Sequence, residues 1–263
     1  MSVEIAFLGS GSTGNCAVVR SGKTAVLLDA GLSVRDTSRR LSARGISPGD
    51  VRALLVTHEH TDHVRGALDL ASRWGVPVYA TDGTAKGARF PGSLFADVRT
   101  VAGGTEISVG DGDLTVRVTR TPHDGAESCC FVFADGAGRR AGVVTDLGHL
   151  SREVLDALAG CEILGLEANH DVDLLRAGPY PAFLKQRILS DVGHLSNEDA
   201  AEGLHELVGP RTRHVVALHL SRTNNTPPLA ERSFRTVLDG LGAPVSLTVA
   251  RHDAPTEWLS ASG

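Results

Sequence analysis

The chain is predicted to be an α/β protein, because strand-like and helix-like stretches alternate along its length. Two features carry this reading. Apolar runs rich in β-branched residues recur, and several close on one Asp, Thr or His: TAVLLDAG, ALLVTH, GVVTD and VVALH. Stretches of helical character follow many of these runs, so the second half repeats the strand-then-helix style of the first without repeating its sequence.

Strands are predicted over 3–8, 16–20 and 25–29. The run Ala17-Val18-Val19, the polar turn Ser21-Gly22-Lys23-Thr24 and the run from Ala25 to Leu28 together read as a hairpin. A helix around 33–44 is followed by a strand at 52–57, which ends at Thr57, and a helix at 63–74. Further strands fit 77–80, 105–109, 113–120, 129–134 and 140–145. Next come a helix at 151–158, a strand at 162–167 and a polar loop through 180. Helices at 181–190 and 196–207, a strand at 213–218, a helix at 227–240 and a strand at 245–250 complete the chain. There is no low-complexity tract, long linker or solenoid repeat, so one domain spanning 1–263 is expected.

Residues 7–15 read FLGSGSTGN, in which Gly9-x-Gly11-x-x-Gly14 matches the dinucleotide fingerprint. Asp29 stands where that fingerprint places its ribose-binding acid. The motif requires a helix opening at its third glycine, whose amino end holds the pyrophosphate. A hairpin follows instead, so the loop is read as a turn between strands that holds no nucleotide.

The 263 residues are 41% hydrophobic and 22% charged, an ordinary balance for a globular protein with a substantial core. No apolar run approaches the roughly 20 residues that span a bilayer. The start MSVEIAFLG lacks the basic segment and cleavage site of a signal peptide, so a cytoplasmic protein without a membrane partner is expected. Cys16, Cys129, Cys130 and Cys161 form no CxxC pair and read as reduced, mostly buried thiols. A net charge of −5 argues against general affinity for nucleic-acid backbone and leaves room only for a local basic groove. Histidine is over-used, 11 against two Tyr and two Trp, which points to a use besides packing.

That use is visible in ALLVTHEHTDHVRG, residues 53–66. An apolar strand stops, and His58-x-His60-x-Asp62-His63 follows at once. Imidazole and carboxylate donors bind zinc, manganese or iron, and a short loop can aim alternate side chains at two neighbouring cations. A solvated polar loop would account for an isolated HxH but not for the whole string. His123 in RTPHDG, Asp146 in VVTDLGH and His219 in VVALHLS each stand near the carboxyl end of an apolar run, where α/β sheets carry their functional loops. Each alone could be structural; with the HEHTDH loop they make a stock of donors for two divalent ions.

In this order, Asp29, HEHTDH, His123, Asp146 and His219 resemble the metal motifs of the metallo-β-lactamase fold superfamily. Within it, LGSGSTGN, LLDAGLS, LEANHDVDLL, GPYPAFLKQRILSDVGHLSNEDAA and HLSRTNNTP resemble the YycJ/WalJ family. The resemblance covers nearly the whole chain. It implies a four-layer αββα sandwich with a dinuclear site along one edge. His58, His60 and His123 would bind one ion, and Asp62, His63 and His219 the other. Asp146 would bridge them, and Asp29 would orient ligand histidines. Two divalent ions are implied, zinc by default with manganese or iron admitted, and they would activate a bridging water for attack on phosphorus.

Metal-assisted hydrolysis serves phosphodiesters, thioesters and β-lactams alike. Asp62 directly before His63, together with the bridging Asp146, belongs to the phosphodiesterase-like pattern of the fold. Glu167 in LEAN and His194 in VGHLSNEDAA resemble the Glu-Ala-Thr and His-Ser-Thr segments of tRNase Z. His194, Asp62 and Glu167 are therefore the expected catalytic residues. His194 would protonate the leaving oxygen or bind a phosphate oxygen; the alternative is a histidine capping a helix. Arg176, Lys185, Arg187 and Arg222 are candidate phosphate contacts, although each taken singly reads as a solvated charge. His170 and Asp171 fall in a family string without an assigned role, and Asn224 and Asn225 are read as caps of the helix beginning at Thr226-Pro227, the alternative being that they point to substrate. His149, His205, His214 and His252 read as surface or packing residues.

The chain departs from the larger nucleases of the fold, because too few residues separate Asp146 from His219 for a β-CASP insertion. The family resemblance implies a 5′-to-3′ exonuclease acting on the ends of double-stranded DNA. Two alternatives stand beside it. One is a small-molecule hydrolase of the same fold, a thioesterase or cyclic phosphodiesterase. The other is a non-catalytic module that keeps its metals for folding, against which the complete donor set argues.

Overall fold

The computed structural model of the protein describes residues 2–90, 96–242 and 244–262. The first half contains strands β1 (Glu4–Gly9), β2 (Cys16–Ser21), β3 (Thr24–Leu28), β4 (Val51–Leu55), β5 (Val78–Thr81) and β6 (Val98–Val101). Helices α1 (Val34–Ser42), α2 (Thr61–Val64), α3 (Ala67–Trp74) and α4 (Asp82–Gly87) lie among them. The second half contains β7 (Glu106–Val109), β8 (Leu114–Arg120), β9 (Cys129–Ala134), β10 (Arg140–Val144), β11 (Ile163–Glu167), β12 (His214–Leu218), β13 (Ser246–Val249) and β14 (Leu259–Ser260). Its helices are α5 (Arg152–Leu158), α6 (Val172–Ala177), α7 (Ala182–Ile188), α8 (Asn197–Leu207) and α9 (Pro227–Gly240).

The strands form two seven-stranded sheets, ordered β14-β1-β2-β3-β4-β5-β6 and β13-β12-β11-β10-β9-β8-β7. β3 to β6 run parallel, as do β10 to β13, while β1 to β3 and β7 to β10 pair antiparallel. Period-two alternation explains why so many of these strands are apolar throughout. On β1, Ile5 and Phe7 face the space between the sheets, while Ala6 and Leu8 join the cluster under α1 and α3. On β9, Phe131 and Phe133 enter the same central core, while Cys130 and Val132 pack with Val154, Leu204 and Phe234 of α5, α8 and α9. Both faces of each sheet are thus covered, and the four layers run helix, sheet, sheet, helix.

Several elements differ from the sequence expectation. The helix expected over 63–74 is divided into α2 and α3 at Gly66. There the chain meets the loop after β3: Gly66 N donates to Ala30 O at 2.8 Å, and a Cβ would lie 2.4 Å from Leu32 O. The stretch read as a polar loop through 180 contains α6, started by Asp171, whose carboxylate accepts from Leu174 N at 2.8 Å. The short elements α4, β6 and β14 had no sequence expectation. No helix among the described residues is long and apolar enough to cross a membrane.

Candidate metal centre

The HEHTDH loop leaves β4 and is tied to its neighbour β3 through Asp29. Asp29 Oδ1 accepts from Thr57 N at 2.9 Å, and Oδ2 accepts from His63 Nδ1 at 2.7 Å. Asp29, Asp146 and His219 all lie just beyond the ends of parallel strands with left-handed backbone, at φ of 58°, 59° and 56°. A non-glycine residue is held in that region at a cost of order 1–3 kcal/mol, which concentrates at functional sites. A second tie comes from the glycine loop. Asn15 N donates to Asp62 O at 2.8 Å, Gly31 N donates to Asn15 O at 2.9 Å, and Asn15 Nδ2 donates to Asp62 Oδ2 at 3.2 Å. Gly14 is followed by β2, so the sequence that spells a nucleotide fingerprint is a loop bracing the HEHTDH segment.

The ring nitrogens are sorted by their partners. His63 spends its Nδ1–H on Asp29, and His219 donates Nδ1–H to Glu167 Oε1 at 2.8 Å. His58 Nδ1 donates to Thr57 Oγ1 at 3.0 Å, and His123 Nδ1 donates to the carbonyls of Val192 and Gly193 at 3.1 Å. In each neutral ring the opposite nitrogen is then an acceptor lone pair, which at His63 takes a hydrogen bond from Asn15 Nδ2 at 3.0 Å. These lone pairs converge. His58, His60 and His123 offer donor atoms all within 4.8 Å of one another, as do Asp62, His63 and His219, and likewise His58, His63 and Asp146. His63 Nε2 faces Asp146 Oδ2 at 3.1 Å, and His219 Nε2 faces Asp62 Oδ2 at 3.3 Å. His58 Nε2 and Asp146 Oδ2 are buried without a hydrogen-bond partner among the described residues. Acceptors crowded against acceptors are stable only with a cation or extra protons between them, so these residues fit divalent metal ions.

The protein's own charges tell the same story. Burial pulls the His219 imidazole down, but Asp146, Asp62 and Glu167 outweigh it and push its pKa up to about 10. Burial likewise opposes, and Asp146 and Asp29 overcome, the shift of His63 well above the usual histidine range. Although burial disfavours their charge, Asp146 and Asp62 stay well below the usual carboxylate range, held by the surrounding histidines. Burial and the neighbouring His63 charge drive His58 the other way, toward neutrality.

Glu167 ends β11 and is wholly buried. Its Oε1 accepts from both His194 Nδ1, at 2.9 Å, and His219 Nδ1, while Oε2 accepts from Leu147 N and Leu195 N at 3.2 and 3.1 Å. Glu167 therefore touches no cleft and positions two histidines. His194 does not cap α8, which Ser196 caps by accepting from Asp199 N at 3.0 Å. Instead His194 lines a cleft of about 460 Å³ with Asp62, Asp146, His219, His60 and Arg187. Burial opposes, and the Glu167 charge and hydrogen bond raise, its affinity for a proton.

The β-lactamase superfamily domain matches residues 24–220 of the chain. Exodeoxyribonuclease YycJ of Bacillus anthracis is 36% identical over 258 residues, covering 96% of each chain. The chain belongs to the YycJ/WalJ family of the metallo-β-lactamase superfamily. Exodeoxyribonuclease WalJ of Streptococcus pneumoniae serotype 2 is 35% identical over 236 residues, 88% of this chain and 86% of the relative. In fold, this YycJ/WalJ-family chain is similar to the metallo-β-lactamase fold protein YhfI from Bacillus subtilis. The TM-score is 0.73 at 15% identity, covering 97% and 99% of the two chains.

Other residues named from the sequence are placed as follows in the YycJ/WalJ-family chain. Arg187 reaches the cleft and pairs with Asp124. Lys185 donates to Arg176 O, and Arg222 lines a separate cleft with Arg251 and His252. The reading of Asn224 and Asn225 as helix caps is corrected: Thr226 starts α9 without a side-chain cap. Asn225 instead donates to Ala168 O, Asn169 O and Asn197 Oδ1, tying loops behind the site, because the chain folds back before the helix begins. His170 is buried beside the site with neither ring nitrogen bonded among the described residues. His149 donates to Asp191 O, His205 lies near Glu202, His214 meets Ser246, and His252 meets Thr13. Asn15 and Thr57 were missed as site residues. Their only sequence signal was adjacency, one to the glycine loop and the other to the first histidine.

Proposed function

We propose that the chain is a divalent-metal-dependent exodeoxyribonuclease that degrades double-stranded DNA from its ends with 5′-to-3′ polarity. The observation that carries the reading is the convergent donor set, of which His60, Asp62, Asp146 and His219 line one cleft, with His194 standing beside them on Glu167. The named activity of the two relatives supports the choice of DNA. His58, His60 and His123 would hold one ion and Asp62, His63 and His219 the other, shared through Asp146. The all-nitrogen-and-oxygen donor set favours zinc and admits manganese or iron. Ions bound there supply Lewis acidity at phosphate and lower the pKa of a water.

The chain's own groups do the rest. Glu167 keeps His194 Nδ1 protonated, so Nε2 carries the transferable proton of the imidazolium. From the cleft wall, that proton goes to the leaving oxygen of the scissile phosphodiester. Asp62, half-buried on the same cleft, balances the charge of cation and histidine. Arg187, held by Asp124, offers a guanidinium to a non-bridging phosphate oxygen. The chain acts as one domain without a β-CASP clamp, and its four buried free cysteines suit the reducing cytoplasm.

Metal-loaded protein incubated with end-labelled duplex DNA, single-stranded DNA, RNA and a thioester tests this reading. Progressive shortening of the duplex from its 5′ ends is expected. Thioester hydrolysis with every nucleic acid left intact would replace it with the small-molecule alternative.

A further inference from the structure

The large exposed apolar side chains are concentrated in one segment. Phe183, Leu189, Val192 and Leu174 are 72%, 44%, 43% and 39% exposed, and all lie within residues 174–192. Among the described residues, only Leu241 joins them from elsewhere. Apolar side chains left open along one segment of a chain with three well-buried cores mark a contact surface.

Its position says what it contacts. Phe183 and Arg187 are four residues apart on α7 and share one face of that helix. Arg187 lines the metal cleft, and Phe183 stands one helical turn from it on the same face. The segment is indexed to the site by its backbone. Val192 O accepts from Asp124 N and from His123 Nδ1, both at 3.1 Å, and Asp191 O accepts from His149 Nδ1 at 3.0 Å. A Cβ on Gly148 would lie 2.1 Å from the Asp191 carbonyl carbon, so the two chains meet without space between them. Charge selects the partner. The helix sequence AFLKQRI carries Lys185 and Arg187 and no acid, which suits a polyanion and disfavours pairing with the same helix of a second copy.

An aromatic ring beside a cation at a phosphodiester-cleaving cleft is the arrangement that takes a base on the ring and its phosphate on the cation. We propose that Phe183 is the stacking platform for the terminal base of the DNA strand being degraded, placing the adjoining phosphodiester in the metal cleft. Leu189 and Val192 supply an apolar border, and the assignment rests on the nuclease reading above. Phe183 thus acts in positioning substrate, apart from the groups that perform the hydrolysis.

The test uses the full-length, metal-loaded chain and a duplex carrying 2-aminopurine at its 5′ terminus, with non-hydrolysable phosphorothioate end linkages for binding. Base stacking on an aromatic side chain corresponds to roughly a five- to hundredfold change in affinity. Phe183→Ala is expected to weaken end binding within that range and abolish the change in 2-aminopurine emission. On cleavable duplex it should raise KM with kcat nearly unchanged, and Phe183→Trp should restore binding. Turnover of bis(4-nitrophenyl) phosphate, which has no base, should be the same in all three proteins. Unchanged end binding by Phe183→Ala, equal loss on the nitrophenyl ester, or conversion of a dimer to a monomer overturns the stacking assignment while leaving the nuclease reading intact. A wild-type chain that neither binds nor degrades duplex ends overturns both.

Discussion

His194 and His219 hang from one carboxylate oxygen: both Nδ1–H groups donate to Glu167 Oε1, at 2.9 and 2.8 Å. One buried residue therefore sets the tautomer of His219, a candidate metal donor, and the proton affinity of His194 beside it. Glu167→Gln removes the charge and replaces one acceptor with a donor. Metal affinity is expected to fall by about 10- to 100-fold, the usual loss when a ligand histidine's partner is changed. The basic limb of the pH–rate profile should also move to lower pH, because His194 then holds its proton less tightly. Metal titration together with pH–rate profiles measures both, and an unchanged pair of results refutes the shared-anchor role.

His194→Ala should leave metal content and folding nearly unchanged and slow DNA hydrolysis by roughly 10²–10⁴-fold, the range of a lost general acid. A nitrophenyl phosphodiester has a leaving group that needs little protonation and should lose less. Equal loss on both substrates would assign His194 to phosphate binding instead.

Elemental analysis of chain purified without chelator should find close to two divalent ions, and chelation should abolish nuclease activity reversibly. Asp146→Ala should lower occupancy of both sites, since its carboxylate lies 3.1 Å from His63 Nε2 of one donor set and 3.9 Å from His123 Nε2 of the other. His123→Ala should affect mainly one site. Occupancy fixed at one ion after reloading would refute the paired site.

Gly31→Ala tests the brace behind the HEHTDH loop. A Cβ there would lie 1.6 Å from Asp62 O, a backbone atom with no side-chain freedom to yield. The loop must shift, at a cost of roughly 1–3 kcal/mol or more. The melting temperature and metal content should fall together. A variant with native stability and full metal content would show that the brace is dispensable.

His170 is 1% exposed, and burial lowers its pKa to about 4 despite the opposing Glu167 charge. In the unfolded chain the same imidazole titrates near 6.5. The unfolded state therefore binds the proton more tightly. Stability that is complete above about pH 6.5 is lost as pH falls toward 4, by up to about 3 kcal/mol. Urea unfolding in chelator across this window should show a shallower pH dependence for His170→Gln than for the natural chain. Identical slopes would remove His170 as a source of acid sensitivity.

The α/β pattern, the strand positions in both halves and the histidines and aspartates that converge at one edge were legible in the sequence for one physical reason. Each is a local signal: a β-branched run has a period, and the side chain that ends it stands at the sheet edge whatever the rest of the chain does. Short edge strands gave no such signal. β6 buries none of its residues fully, and β14 is only two residues long, so neither needs an apolar alternation to form. Gly66 reads as a tolerable helix residue until Ala30 and Leu32 arrive from β3 and divide the helix.

What the sequence determined by itself is which side chains end the strands, and with them the superfamily's order of motifs. Tertiary structure alone decided how those side chains are used. It set which nitrogen of each histidine is spent on Asp29, Glu167 or a carbonyl, and which is left as an acceptor toward the other donors. It also turned Asn224 and Asn225 from expected caps into buried loop residues, and left Phe183 uncovered. Hydrogen-bond partners and exposure depend on groups far apart in the chain, and no local pattern encodes an encounter that only packing brings about.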